Sequence, residues 1–289
     1  MPETWTTRRL LQWTTEYFTR RAIDSPRLSA EMLLAHVLGV KRLKLYMDPD
    51  RPASELERAT FRDLVERAAK HEPVDYLTGE APFFSMSLRV TRDVLIPRPS
   101  TETLVEHVVR HARRTPGFAQ PLIADVGTGS GAIAIALAKH VPGCRVIATD
   151  LSPAALALAK DNAAAQGVAQ HIEFVEGDLL APLSPYVGRL RYLVSNPPYI
   201  SDAEWEQVEP NVKDYEPTGA LRGGVDGLDF IRPLIAHAAR HLDRPGQLVL
   251  EVAAAHQSMV LQLSADAGLQ NATVLADHEA LPRVLVAEV

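Results

Sequence analysis

The residues Asn196-Pro197-Pro198-Tyr199, directly after the apolar run Tyr192-Leu193-Val194, have the make-up of a device that holds a planar NH2 group. Asn196 offers a carboxamide oxygen. Pro197 offers a backbone carbonyl, in a stretch where two prolines fix φ and remove competing N–H donors. Two acceptors side by side match the two hydrogens of an amide or of an exocyclic amine. The bland alternative is a rigid connector, but a turn that only ended a strand would more often use Gly or Asp.

About seventy residues upstream, Asp125-Val126-Gly127-Thr128-Gly129-Ser130-Gly131-Ala132 follows the apolar Leu122-Ile123-Ala124 and reads as strand, glycine turn and helix. The spacing of Gly127, Gly129 and Ala132, with Asp150 further along, also fits a dinucleotide fingerprint. Charge separates the two readings. A nicotinamide dinucleotide brings an anionic pyrophosphate to such a turn, whereas S-adenosylmethionine carries an ammonium and a sulfonium and no phosphate. An acid at Asp125, expected at the lip of the turn, would repel the first and suit the second.

Positioning these residues requires an alternating fold. From Pro121 onward, strands are expected at 122–127, 145–150, 172–177, 192–196, 246–252, 271–276 and 283–289, with helices between most of them. Ser152-Pro153, for example, pairs an N-cap with proline at the first helical position. The pattern predicts a doubly wound, mostly parallel sheet that binds ligands beyond the carboxyl ends of its strands. The glycine turn, Asp150, Asp178 and Asn196 all fall at such ends.

The preceding stretch differs in period. Residues 1 to about 75 have apolar spacing near 3.6. Three helices are expected there, from Thr6 to Arg21, from Ser29 to Leu38 with Gly39 as its stop, and from Ser54 to Lys70. Leu10, Leu11, Trp13, Tyr17 and Phe18 make the apolar face of the first. Leu56, Phe61, Leu64 and Val65 serve the third, which Ser54 and Glu57 open with a capping-box pattern. Between Pro82 and Ile96 the alternation of Phe84, Met86, Leu88 and Val90 changes the period to two, as in a β-hairpin. Ile96-Pro97-Arg98-Pro99 then halts the chain before a helix from Ser100 to Arg114. The expected partition is a helical domain over 1–80, a hairpin linker over 81–99 and an α/β domain over 100–289.

Composition sets outer bounds. A chain of 289 residues, 46% of them hydrophobic, can bury one large core and a smaller one. A net charge of −6 argues against stable, phosphate-driven binding of nucleic acid. The basic runs Lys41-Arg42-Leu43-Lys44 and Arg110-His111-Ala112-Arg113-Arg114 read first as solvated helix faces. Cys144 is the only cysteine, so no intrachain disulfide and no cysteine-based metal cluster is available, and no metal is expected. The opening Met1-Pro2-Glu3-Thr4 does not lead into an apolar stretch and no run reaches membrane-span length, which makes a cytoplasmic, membrane-free protein the expectation.

Most of the chain resembles the peptide chain release factor glutamine methyltransferases, a class I S-adenosylmethionine-dependent family also called PrmC or HemK. The resemblance runs through Pro73-Val74-Asp75-Tyr76-Leu77-Thr78-Gly79, Phe83-Phe84, Leu95-Ile96-Pro97-Arg98-Pro99 with Thr101-Glu102, the Asp125 to Gly131 motif, Asn196-Pro197-Pro198-Tyr199-Ile200, Glu216-Pro217 and Gly223-Gly224-Val225-Asp226-Gly227-Leu228. The linker signature joined to a helical first domain points to the release-factor branch, not to the sister branch that methylates a ribosomal-protein glutamine. The chain departs from the family at Ser100, where an acid is common, at Ala253 and at Ala280, where glycines are usual.

The resemblance implies a Rossmann-like domain with a seven-stranded sheet, preceded by an all-α domain and a hairpin. It implies methyl transfer from S-adenosylmethionine to the side-chain nitrogen (N5) of the glutamine in a Gly-Gly-Gln motif of class 1 release factors, by a monomer. Asn196, Pro197, Pro198 and Tyr199 would act on the substrate amide. The cofactor would lie on Asp125, Gly127, Thr128, Gly129, Ser130 and Gly131, with its ribose on Asp150, its adenine amine on Asp178 beside Leu179, and Asn196 at its reactive end. Arg98, Glu102 and Glu216 have no role that sequence alone fixes. Two alternatives remain, a ribosomal-protein glutamine methyltransferase and a nucleic-acid adenine N6-methyltransferase, the latter because adenine presents the same two hydrogens to the same clamp.

Overall fold

The computed structural model describes residues 4–115 and 120–289, so Met1, Pro2 and Glu3 of the opening segment lie outside the described residues. The chain divides into two units. One runs to Glu80 and also holds Glu209–Tyr215, and the other comprises Ala81–Val208 and Glu216–Val289.

The first unit has helices α1 (Thr7–Arg20), α2 (Pro26–Leu38), α3 (Arg42–Met47), α4 (Glu55–Ala68) and α5 (Val74–Thr78). The expected three become five because α3 and α5 are too short to display a period. Thr6 caps α1 by accepting from the Arg9 amide. Gly39, at φ +62°, ends α2. The capping box of α4 is complete, with Ser54 and Glu57 each accepting from the other's backbone N–H. Phe18, Leu33, Leu34 and Phe61 are buried in the unit's core. Two expected core residues are not in it: Trp13 is 45% exposed and Leu56 is 77% exposed, because they stand at the edge and on the far side of their helices' apolar stripes. Arg42, from the first basic run, pairs with the buried Glu31, and the Tyr215 hydroxyl donates to the Lys70 carbonyl at 3.0 Å.

The hairpin is shorter than its alternation suggested, with β1 over Glu80–Phe83 and β2 over Met86–Arg89. Phe84 and Ser85 form its turn at φ +47° and +61°, the backbone a primed two-residue turn requires. Phe84 is therefore a turn residue, and Phe83 takes the buried position.

The second unit continues with α6 (Glu102–Arg114), β3 (Leu122–Val126), α7 (Ala132–His140), β4 (Arg145–Asp150), α8 (Pro153–Ala165), β5 (Ile172–Glu176), β6 (Leu190–Ser195) and α9 (Asp202–Trp205). After α10 (Pro210–Lys213), which lies in the first unit's segment, follow α11 (Ile231–His241), β7 (Leu242–Glu251), α12 (Gln257–Asp266), β8 (Gln270–Ala276) and β9 (Pro282–Glu288). The strands form one sheet in the order β5-β4-β3-β6-β7-β9-β8. Pairing is parallel from β5 to β7 and antiparallel at β9 and β8. Strands β6 and β7 begin earlier than expected, at Leu190 and Leu242, with a register shift between Leu190 and Tyr192.

Both faces of the sheet are covered. Ile123, Val146, Tyr192, Val194 and Val249 meet α6 and α7 on one side. Ala124, Ile147, Leu193, Leu248 and Leu250 meet α11 and Val260 of α12 on the other. This two-sided burial explains why the strands read as nearly continuous apolar runs. At the β8–β9 turn, Ala280 takes φ +61°, a backbone that favours glycine. The Asp277 carboxylate holds that turn by accepting from the amides of Glu279 and Leu281.

Candidate active site

Strand order reverses direction at β3, whose neighbours are β4 on one side and β6 on the other. In open α/β sheets the crevice outside the carboxyl ends at such a point is the ligand site. The glycine turn leaves β3 here, and Asn196 leaves β6 here. The Ser195 hydroxyl locks the two strand ends together by donating to the Val126 carbonyl at 2.6 Å.

The glycine turn is built from backbone. The amides of Gly127 and Thr128 donate to the Thr149 carbonyl at 2.9 and 2.8 Å, folding the turn over the end of β4. Gly127 and Gly129 take φ +72° and +54°, and a Cβ on either would meet no protein atom within 4 Å. Side chains there would project into the open space above the turn, so these glycines keep a ligand-sized approach clear. Gly131 has a different reason. A Cβ on it would stand 2.9 Å from Ile135 and 3.1 Å from Ala159, so it permits α7 to pack on α8 instead of admitting a ligand.

Asp125 also differs from its expected place. It is fully buried, not at the lip, and its Oδ2 accepts from the Thr128 hydroxyl at 2.6 Å and the Ala134 amide at 3.1 Å. Burial pushes its carboxyl up to about 7 against those two donors. The residue shapes the turn from inside, and the charge argument that separated sulfonium from pyrophosphate loses its force, because that charge is not displayed to the crevice. Thr128 and Ser130 are buried with it.

Asp150, at the end of β4, accepts from the Gly129 amide at 2.8 Å and the Ser152 amide at 2.9 Å. Each carboxylate oxygen keeps a lone pair for a further donor. Ser152 caps α8 through the Ala155 amide, so Asp150 is not the helix cap. Asp178 is exposed and Leu179, half-buried, turns the chain at φ +45° beyond β5. The glycine turn, Asp150, Asp178, Leu179 and Asn196 thus share the carboxyl edge of four adjacent strands.

Around Asn196 the structure adds residues that sequence reasoning passed over. Its Nδ2 donates to the Thr101 hydroxyl at 3.1 Å, and that hydroxyl donates to Glu251 Oε2 at 2.5 Å. The Ser100 and Tyr199 hydroxyls both donate to Glu251 Oε1 at 3.2 Å. Glu251 is fully buried, which pushes its carboxyl up while the Thr101 hydroxyl bond opposes the shift. Burial likewise raises the Tyr199 phenol, with the charge of Glu251 adding to the effect, so Tyr199 stays a donor. The signal in the sequence was an acid closing the apolar run Leu248-Val249-Leu250 at the same sheet end. Asn162 carried no such signal, yet it ties the glycine turn to the hairpin by donating to the carbonyls of Ser130 and Arg89 at 2.9 Å.

The three residues without a fixed role are braces. Glu216 accepts from Arg98 at 2.5 Å and from the Ile96 amide at 3.1 Å, and Glu102 accepts from the Phe84 amide at 2.7 Å. The Gly223–Leu228 loop backs the clamp: a Cβ on Gly223 would lie 2.8 Å from the Pro198 carbonyl oxygen, and one on Gly227 2.4 Å from that of Tyr199. Pro197 is buried, while Asn196, Pro198 and Tyr199 are half-buried. Among the described residues no group of three or more His, Cys, Asp or Glu side chains could hold a metal ion, and no helix is long and apolar enough to cross a membrane.

Comparison with known proteins agrees with this geometry. The family described as PrmC N-terminal domain matches residues 9–79, and the methyltransferase small domain matches 99–213. The release factor glutamine methyltransferase of Geobacter sulfurreducens is 40% identical over 284 residues, covering 98% of this chain and 97% of that protein. The enzyme of the same name from Chlorobaculum tepidum is 41% identical, covering 99% and 98%. Among solved structures, the hMettl16 catalytic domain in complex with the MAT2A 3'UTR hairpin 6 has a TM-score of 0.55 at 15% identity, covering 71% of this chain and 76% of that one, a likeness of fold alone. The chain is a methyltransferase and belongs to the release factor glutamine methyltransferase family.

Proposed function

We propose that this chain methylates the side-chain amide nitrogen of the glutamine in the Gly-Gly-Gln motif of class 1 release factors. The observation that carries the reading is the meeting of the Asn196-Pro197 acceptors with an open glycine turn at the reversal point of the sheet. The relatives' names supply a release factor glutamine as substrate, and the Gly-Gly-Gln motif and the class of factor come from the family resemblance.

S-adenosylmethionine, when bound, supplies an electrophilic methyl on its sulfonium sulfur. The crevice suits that group: Gly127 and Gly129 leave room for the methionine part, Asp150 has lone pairs for the ribose hydroxyls, and Asp178 with Leu179 offers an acceptor and an apolar surface for adenine. The chain's other task is to prepare the nucleophile. An amide nitrogen is weak because its lone pair is delocalised into the carbonyl. The Asn196 Oδ1 and Pro197 carbonyl, each accepting one N–H, add electron density to the nitrogen and aim its lone pair. Holding the reacting atoms at about 3–3.5 Å removes much of the orientational cost of the step. Tyr199 closes the side of the clamp against water. The methylated amide nitrogen is a strong acid and loses its extra proton to water, so no side-chain base is needed. The helical unit would hold the body of the factor, and its half-exposed Trp13, beside Arg58 and Arg62, is a surface suited to that task.

The test is transfer of labelled methyl from S-adenosylmethionine to a purified class 1 release factor, beside its Gly-Gly-Ala variant and an unmethylated DNA duplex. Label on the wild-type factor alone is the expected result. Label on the DNA would move the chain to the adenine class, and label on neither would refute the substrate.

A further inference from the structure

The clamp works only if Asn196 presents its oxygen, not its NH2, to the substrate. A carboxamide is nearly symmetric in shape, so sterics do not choose between its two orientations. Hydrogen-bond polarity does. The Glu251 carboxylate has acceptors only, and it faces the hydroxyls of Thr101, Ser100 and Tyr199. The single Thr101 proton lies on the short 2.5 Å bond to Glu251. The Thr101 oxygen is left as an acceptor, and the group it takes at 3.1 Å must be a donor, the Asn196 NH2.

We infer that Glu251 and Thr101 are positioning residues that dictate the direction of the Asn196 carboxamide, a polarity relay from a buried carboxylate to the substrate clamp. The inference rests on the proposed amide-methylating role and extends it to residues that do not touch the substrate. The relay starts on the last residue of β7 and passes through the first turn before α6, so the polarity of the clamp is set by elements on a different strand from the one that carries it. Glu251 and Thr101 are buried, so the bond between them is shielded from the solvent that could otherwise restore the pattern when one member changes.

Three substitutions test the relay in the methyl-transfer assay. Glu251→Gln keeps the shape but can donate to Thr101, which frees the Thr101 proton to point at Asn196 and favours the inverted amide. Thr101→Val keeps the volume and removes the hydroxyl, whereas Thr101→Ser retains it. Glu251→Gln and Thr101→Val are expected to lower kcat by about 10- to 100-fold, the scale of losing an outer-shell partner that orients a group in contact with the ligand. KM for S-adenosylmethionine should stay near wild type and Thr101→Ser should retain most of kcat, with kcat taken per folded molecule so that any stability lost by leaving the buried Glu251 short of a donor is counted separately.

Full kcat in Thr101→Val or Glu251→Gln would overturn the relay while wild-type transfer leaves the function intact. A fall in cofactor affinity in step with kcat, or a Thr101→Ser as impaired as Thr101→Val, would make the pair a plain brace and also overturn it. No transfer to the factor by the wild-type chain would take down the functional reading, and the relay with it.

Discussion

Two polar networks meet β7, one at Gln247 toward the amino edge of the parallel strands and one at Glu251 at their carboxyl edge, and the two are built on the same logic to opposite effect. At the amino end, Glu288 accepts from the Gln247 Nε2 at 3.0 Å and so fixes the direction of that carboxamide. Gln247 Nε2 also reaches His111 Nε2 at 3.2 Å, and its oxygen faces His107 Nε2 at 3.1 Å. His111 must then carry its proton on Nδ1, which donates to the Tyr192 hydroxyl at 2.7 Å. At the carboxyl end, Glu251 fixes the Asn196 carboxamide through Thr101. In both places a carboxylate orders a carboxamide between α6 and the sheet. The amino-end network closes on itself, because the Gln247 oxygen is already taken by a histidine. The carboxyl-end network stops one partner short, because the Asn196 oxygen takes no hydrogen bond among the described residues and, in the proposed function, is the atom that meets the substrate. What distinguishes a site from a brace here is the unfilled last valence, not the residue types.

Removing the two carboxamides should therefore separate activity from stability. Asn196→Ala is expected to cut methyl transfer by about 10²- to 10³-fold or more, with little change in melting temperature, because the position is only half-buried. Near-wild-type transfer in that variant would end the clamp reading. Next in size, Asp150→Ala removes a carboxylate that both orders the glycine turn and stands ready for two ribose hydroxyls. Its S-adenosylmethionine affinity, measured by calorimetry, should weaken by about 1.5–3 kcal/mol per charge-assisted bond lost. Gln247→Leu strips the closed network of its centre. Chemical denaturation should show a loss of about 1–3 kcal/mol with transfer per folded molecule unchanged, since the half-buried partners of Gln247 would face an apolar side chain. Reduced turnover in folded Gln247→Leu would contradict the comparison.

How far each network could be read from sequence follows from how local its signals are. Asn196-Pro197-Pro198-Tyr199 and the glycine turn announce themselves because each is a contiguous backbone device, and the strand periods that carry them are visible in the apolar runs. Thr101 and Glu251 are 150 residues apart in the chain. Nothing in a linear pattern joins them, and only the pairing of β6 with β7 brings Glu251 next to the clamp. Asp125 was misjudged for a related reason. Its position in the motif was legible, but the inward turn of its side chain depends on Thr128 and Ala134 reaching back to it. Gly131 looked like part of the cradle, and its actual constraint comes from Ala159, a whole strand and loop further on. In the first unit, the amphipathic period was strong enough to find α1, α2 and α4, and too coarse to say that Trp13 and Leu56 sit outside the buried stripe.

The two ends also titrate in opposite senses, which gives the finest test. At the amino end, burial lowers His107 and His111 below the ordinary imidazole range. As pH falls below about 6.5, the unfolded chain takes up protons that these folded imidazoles refuse, so their contribution to stability is lost on acidification. At the carboxyl edge, on β3 and outside the Glu251 network, Asp125 is raised from 3.8 to about 7. Between those values the folded carboxyl holds a proton that the unfolded one has released, so its contribution is complete at low pH and is lost as pH rises toward 7. Each proton is worth at most about 1.4 kcal/mol per pH unit, and the opposing slopes partly cancel in the wild-type chain. Asp125→Asn should remove the alkaline-side loss alone, leaving stability that climbs more steeply from pH 4 to 7 than in wild type. His107→Gln should do the reverse and flatten the decline below pH 6.5. Denaturation curves across that range would expose either slope, and parallel profiles for the two variants would mean that the ends do not carry the opposite proton affinities their burial dictates.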